Sequence, residues 1–355
     1  MSYIVTPYIP IIRTLIIKQT HYKNKKHHYQ LGDLDLSDHV ILEEQMSKEH
    51  PPQSGVKDEH RSDETSVLHV PVLLQASLDV LKPQVGESYL DLTAGYAGHA
   101  SAFLTITKNY AGSVLVDRDD YAIKRLKPLS DKGVGLMHTD FVSAARQLVQ
   151  EGKQFDIILV DLGVSSPQLD QSERGFSFTN SGPLDMRMDR RLGVSAETLV
   201  NTATADELAR IINQYGEEPI GFARTVATAI VDGRPLSTTE ELAGLIKQTY
   251  RGKWKKTHPA TRTFQALRIA VNDELKQVED LMPLLPDLLK TGGRVGIISF
   301  HSLEDRLVKR YFAEQFDAGL EAELQPLTKK PIAGDIYDVH NPRARSSKLR
   351  AAVKK

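Results

Sequence analysis

Four short segments carry residues that suit a ligand containing a nucleoside. The first is DLTAGYAGH at 91–99, where Gly95 and Gly98 follow an apolar stretch. Glycine lets the backbone approach a ligand closely and adopt positive φ. Two glycines leave the six-residue dinucleotide fingerprint incomplete, and by itself the segment reads equally well as a tight strand-to-helix turn. The second is SVLVDRD, which ends in Asp117 about 20 residues further on, where an acid accepts hydrogen bonds from ribose hydroxyls. Asp119 and Asp120 beside it read as solvated acids. The third is Asp140 with Phe141, an acid to accept from the adenine amine and a ring to pack on the base, although Phe141 would serve equally as core. The fourth is DLGVSSPQ at 161–168. The missing third glycine argues against NAD. S-adenosylmethionine has ribose and adenine but no phosphate, so it does not need that fingerprint.

These segments need elements to hold them. Apolar runs at YLDL, SVLV, GLMH and FDIILVD alternate with helical spacing in YAIKRLKPL and SAARQLVQ, the pattern of a parallel α/β sheet with crossover helices. HVPVLLQASLDVLKP reads as a helix ending before Pro83. GGRVGIISF reads as the last strand, preceded by the helix-like VEDLMPLLPDLLK. Between FDIILVD and GGRVGIISF, segments such as TADELARIINQYG, IGFARTVATAIVDG and TTEELAGLIKQTY have helical spacing. The expected organisation is an α/β domain, 67–174 and 276–355, interrupted by a mostly helical insertion at 175–275. Residues 1–66 read as a disordered extension, polar and proline-containing towards its end, with a transit peptide as the competing reading. The whole chain has 355 residues, a net charge of −1 and no cysteine. That excludes disulfides, cysteine-ligated zinc, iron–sulfur clusters and thiol nucleophiles. No global basic field recruits nucleic acid, so any such contact must be local. No apolar run approaches the ~18 residues of a membrane span. The 12 histidines show no ligand spacing with acids, so no metal is expected.

Four longer stretches carry a resemblance. They are DLGVSSPQLDQSERGFSFTNSGPLDMRMD at 161–189, HPATRTFQALRIAVNDEL at 258–275, ISFHSLEDRLVKRYF at 298–312 and NPRARSSKLR at 341–350. In these, the chain after about His69 resembles the 16S rRNA cytosine-N4 methyltransferases. The resemblance implies a class I S-adenosylmethionine-dependent methyltransferase, a Rossmann-like sheet with an inserted helical domain that helps recognise RNA. Carried over by position, cofactor contacts fall on Ala97, Gly98, His99, Asp117, Phe141, Asp161 and Gln168. Ala97 departs from the pattern, because the family's turn commonly has glycine there. The implied substrate is a decoding-site cytidine of 16S rRNA, within the 30S subunit or a late assembly particle.

Chemistry then separates two cytosine reactions. Methylation at C5 normally uses a cysteine nucleophile, which this chain lacks. Transfer to the exocyclic N4 needs instead an acceptor for the amine hydrogens, and Asp161 and Ser165 are the candidates, with Asp161 equally able to serve only the cofactor. RNA-binding candidates are Arg251, Lys253, Lys255, Lys256 and Arg262 around Trp254, the C-terminal run Arg343, Arg345, Lys348, Arg350, Lys354 and Lys355, and Arg187, Arg190 and Arg191. His301 and Ser302 are expected to shape the pocket. A cytoplasmic enzyme is expected, or a mitochondrial one acting on the organelle's small-subunit rRNA if residues 1–45 are a transit peptide. A non-catalytic RNA-binding protein that keeps the cofactor fold is the other open alternative.

Overall fold

The structure, a computed structural model, describes residues 71–191, 193–252 and 257–355. The expectations for residues 1–66 and for Lys253, Trp254, Lys255 and Lys256 lie outside the described residues.

A strand sends successive side chains to opposite faces, so a continuous apolar run needs cover on both sides. β1 (Tyr89–Asp91) and β4 (Phe155–Asp161) are such runs. Tyr89, Ile157 and Leu159 pack under α1 (Leu74–Leu81), α2 (Gly98–Thr107) and α3 (Asp120–Ser130). Leu90, Ile158 and Val160 pack on the other face, against α4 (Phe141–Gln150) and residues 278–288. With β2 (Val114–Asp117), β3 (Gly135–His138) and β5 (Leu289–Ser299), the parallel order is β3-β2-β1-β4-β5. The order reverses at β1 and β4, and ligands of such sheets sit outside the carboxyl ends of the strands at that point.

β5 is not the last strand, as the sequence had suggested. β6 (Leu324–Pro326), β7 (Ile332–Ala333) and β8 (Lys348–Lys354) follow, and β8 runs antiparallel between β5 and β6. Its lysines and arginine disguise it as a solvated basic run. Arg350 Nε and Lys348 Nζ donate to Asp305 at 2.7 and 3.0 Å, and Lys354 Nζ donates to the carbonyls of Pro286 and Leu289. Arg343 is likewise engaged, with Asp170. Lys355 Nζ donates to the carbonyl of Gly319, so five of the six basic side chains expected to face RNA have partners in the fold. The stretch VEDLMPLLPDLLK is also not one helix. Its prolines lack the N–H that a helix interior needs, and it breaks into the end of α11 (Glu274–Leu281), a 3-10 turn Met282–Leu284 and the four-residue α12 (Leu285–Leu288).

After α5 (Ser166–Asp170) the chain builds a second core. α6 (Ala196–Thr202), α7 (Ala205–Gly216), α8 (Ile220–Asp232), α9 (Thr239–Thr249) and α10 (Thr261–Asn272) bury Val200, Ile212, Val226, Ile230, Ile246 and Leu267 together. Thr204 with Glu207 and Thr238 with Glu241 form capping boxes that start α7 and α9. Among the described residues no helix is long and apolar enough to cross a membrane.

One buried ion pair joins the helical region to the sheet. Asp119, expected to be a solvated acid, is 3% exposed. Its carboxylate accepts from Tyr121 N at the start of α3, from Gln168 Nε2 at 2.6 Å and from Arg174 Nη1 at 2.7 Å. Arg174 also donates to the carbonyls of Arg187 and Met188. Asn272 continues the seam, accepting from Met188 N and donating to Met186 O. Removing one partner of a buried pair strands the other charge. Arg174→Met is expected to lower unfolding free energy by about 3–5 kcal/mol. Adding Asp119→Asn should recover part of the loss, as read by urea denaturation. Equal stability of wild type and Arg174→Met would show that the pair is not a structural tie.

Candidate active site

A cavity of about 1290 Å³ opens at the carboxyl ends of β1, β2 and β4. The turn after β1 is fastened to the end of β2. Gly95 N and Asp119 N each donate to Asp117, both at 2.8 Å, and burial raises the pKa of that carboxyl. Ala97 precedes α2 at φ +68°, the left-handed region. Gly98 packs so closely on Pro71 that a Cβ there would lie 2.4 Å from the proline Cγ. His99 is buried in the first turn of α2, and Phe141 lines the cavity at the start of α4. Asp140 is not among the lining residues. Its Oδ1 caps α4 by accepting from Val142 N and Ser143 N. Gln168 lines the cavity with its amide engaged on both sides, Oε1 by Ser165 N and Nε2 by Asp119.

Asp161 stands at the end of β4, where its backbone N donates to Thr93 Oγ1 at 2.6 Å. Burial, then the nearby Asp91 and Glu304 charges, push its carboxyl well above the ordinary range. Burial also raises Asp91 to about 7 and depresses His99 to about 4. His99 is therefore neutral at neutral pH, and its Nε2 lies 3.8 Å from Asp161 Oδ2, too far for a hydrogen bond. Asp161 Oδ1, Ser165 Oγ and Tyr96 Oη are buried with no hydrogen-bond partner among the described residues. Orphaned polar atoms on a cavity wall are the groups a polar ligand satisfies. These residues therefore fit a nucleoside with a polar, cationic tail.

The far wall holds His301, expected to shape the pocket, together with Arg268, Glu274, Phe300 and Glu304, which were not singled out although they fall within the distinctive stretches 258–275 and 298–312. Arg268 Nε and Nη2 donate to the two carboxylate oxygens of Glu274, both at 2.8 Å. Glu304 Oε2 accepts from Phe300 N at 2.8 Å, and His301 begins α13 (Ser302–Asp317) with Nε2 3.2 Å from Glu304 Oε1. One ligand atom from each of Glu274, His301 and Glu304 lies within 4.8 Å of the others, a grouping that sequence spacing did not reveal. Arg268 already neutralises Glu274, and Glu304 is tied to the 300–301 backbone, so this is a paired network rather than an open set of metal donors. Arg187 pairs with Asp185 and Arg191 with Asp189, both at 2.7 Å, and Arg190 reaches Asp185 at 3.3 Å. Arg251 and Arg262 line a separate pocket of about 620 Å³ in the helical region, with Phe222 and Tyr250.

A doubly wound sheet with a cavity at its strand-order reversal is the Rossmann-like architecture of class I methyltransferases, whose methyl donor is S-adenosylmethionine. Residues 66–355 match the MraW methylase family, and the chain belongs to it. It is 46% identical over 297 residues to the ribosomal RNA small subunit methyltransferase H of Synechocystis sp., covering 81% of this chain and 93% of the relative. The protein of the same name from Acidobacterium capsulatum is 45% identical, over 81% of this chain and 98% of its own. Among solved structures, an rRNA methylase from Streptococcus thermophilus aligns at 11% identity and TM-score 0.33, over 79% of this chain and 94% of its own.

Two substitutions test these local features. A residue with a Cβ pays ~1–2 kcal/mol in the left-handed region. Ala97→Gly should therefore raise stability by about 1 kcal/mol, visible as a higher melting temperature. Asp161 holds its proton more tightly folded than unfolded, so its ionisation costs stability as pH climbs from the unfolded value of ~3.9 towards the raised folded value. Asp161→Asn removes that cost. Its melting temperature should exceed the wild type's at pH 8, with the gap closing towards pH 4. A gap that stayed constant with pH would contradict a raised Asp161.

Proposed function

We propose that this chain methylates the N4 amine of a decoding-site cytidine in small-subunit rRNA. The observation that carries the proposal is Asp161, a partly exposed carboxyl whose Oδ1 is buried and unpartnered at the switch point of a methyltransferase sheet. The names of the relatives support small-subunit rRNA as the substrate class. The absence of cysteine favours an amine over C5.

When bound, S-adenosylmethionine supplies the methyl group as an electrophilic carbon on a cationic sulfur. In this reading Asp117 accepts from the ribose hydroxyls, Phe141 packs on the adenine, and the backbone of Ala97, Gly98 and His99 lines the path between them. Gln168 acts through Ser165 and Asp119, holding the β4 exit in place. Asp161 accepts an amine hydrogen in its ionised form, and its raised pKa makes it a stronger base than an ordinary carboxylate. Ser165 Oγ is the second candidate acceptor. Residues 175–275 act as the RNA-recognition part between 67–174 and 276–355. Arg251 and Arg262 are exposed there, and Arg187, Arg190 and Arg191 lie closer to the cavity in sequence.

The test is nucleoside mass spectrometry after incubating purified small-subunit particles with enzyme and S-adenosylmethionine. The expected product is N4-methylated cytidine, with naked oligonucleotide a poorer substrate than particles. Methyl groups at C5, on ribose or on protein would refute the reaction. Asp117→Ala should weaken S-adenosylmethionine binding by roughly 1.5–3 kcal/mol, the worth of a hydrogen bond to a charged group. Calorimetry on a folded variant with unchanged affinity would remove Asp117 from the cofactor site.

A further inference from the structure

The cavity is larger than one small ligand requires. Pockets for single drug-sized molecules run to about 300–1,000 Å³, and this one reaches about 1290 Å³. Its walls differ in character. The wall at Gly95, Asp117 and Phe141 is the one with nucleoside chemistry. The opposite wall presents Arg268 and the ring of Phe300. Asp161 belongs to both, 3.8 Å from His99 on the first side and electrostatically coupled to Glu304 on the second.

Phe300 and Arg268 converge on the backbone just beyond Asp161. A Cβ built on Gly163, which has φ +88°, would lie 3.5 Å from the Phe300 ring and 4.0 Å from Arg268 Nη2. Both side chains are held there by buried acids. Glu274 grips the guanidinium through Nε and Nη2, which leaves the two N–H groups of Nη1 without a hydrogen-bond partner among the described residues. Glu304 fixes the Phe300 backbone N, and with it the ring that lines the cavity.

We propose that Phe300 and Arg268 form the seat of the target base and select cytosine over uracil, with Glu274 and Glu304 as positioning residues. This rests on the proposed N4 methylation and extends it to specificity. A pyrimidine offers a flat face to the Phe300 ring. Cytosine presents two acceptors, O2 and N3, to the N–H groups of Arg268, and its N4 amine donates to Asp161. Uracil reverses the pattern at two of these three points. Its N3–H meets a donor and its O4 meets the acceptor Asp161. Buried donors and acceptors left facing their own kind reject the wrong base strongly.

The experiment uses the full chain, with Phe300→Leu to remove the ring face while keeping apolar bulk. A second variant, Arg268→Met with Glu274→Gln, avoids stranding a buried carboxylate. Three readouts are taken on each: melting temperature with S-adenosylmethionine affinity, kcat and KM on small-subunit particles, and binding of cytidine and uridine by NMR in the presence of sinefungin, whose protonated amine stands in for the sulfonium. The expected result is a wild type that prefers cytidine at least fivefold. Both variants should keep cofactor affinity within twofold of wild type and lose at least 20-fold in kcat/KM; Phe300→Leu should weaken cytidine and uridine alike, whereas the double variant should lose the preference. Retention of kcat/KM within threefold and of the cytidine preference would overturn the proposal. Loss of cofactor affinity in proportion to activity would overturn it too, because the residues would then serve the cofactor or the fold. A wild type that prefers cytidine but methylates no cytosine amine would count against the proposed reaction, whereas failure of the variants alone to differ would count only against this assignment.

Discussion

The buried carboxylate of Asp119 is the point on which the site's architecture turns. A carboxyl at 3% exposure persists only if its oxygens are satisfied, and here a helix N-terminus, an amide and a guanidinium do so. Each partner comes from a different part of the chain. Tyr121 N begins α3, Gln168 lies in α5, and Arg174 stands at the entrance to the helical region. One charge thus sets the end of β2, the exit of β4 and the first turn of the insertion relative to one another. Asp117 and Asp161 inherit their positions from this arrangement. Because Gln168 spends its amide on Ser165 N as well, the loop after Asp161 is held by the same network.

The cavity's electrostatics follow from the opposite condition, acids whose burial outweighs what nearby groups compensate. Asp91, Asp117 and Asp161 are all raised by burial, so they retain protons that exposed carboxyls release. His99 offers no relief, since burial keeps it neutral. A cation entering such a site favours the ionised acids and releases protons, so ligand binding and the basicity of Asp161 are linked. Glu304 behaves differently. Although burial opposes its charge, contacts with His301, Arg268 and Phe300 N hold its pKa below the ordinary value. The two ends of the cavity therefore differ in kind: one holds latent charge, the other fixed and paired charge.

The edge of the sheet shows how basic residues can serve a fold. Asp305, in the first turn of α13, takes Lys348 and Arg350 from β8, and so locks the helix that follows β5 onto the strand beside it. The C-terminal strand therefore supports the 300–301 turn, and with it the far wall of the cavity, from behind.

Much of this was legible in the residues. The strands up to GGRVGIISF, the helical insertion and the four strand-end segments follow from period and turn chemistry, since local pattern dictates burial on one or two faces. The long stretches at 161–189, 258–275 and 298–312 identified the methyltransferase family before any coordinates. What period could not convey was pairing across long sequence separations. β8 looked like a basic tail because its charges find Asp305 and two carbonyls far away in sequence. Asp119 looked like a solvated acid because Arg174 and Gln168, its partners, lie 55 and 49 residues on. Asp140 reads as a ligand contact, and its role in capping α4 through Oδ1 shows only in the fold. Residue type and local spacing determined which elements form and where an acid meets a turn. Only tertiary structure decided which charges are buried, because burial depends on what the rest of the chain brings to the same place.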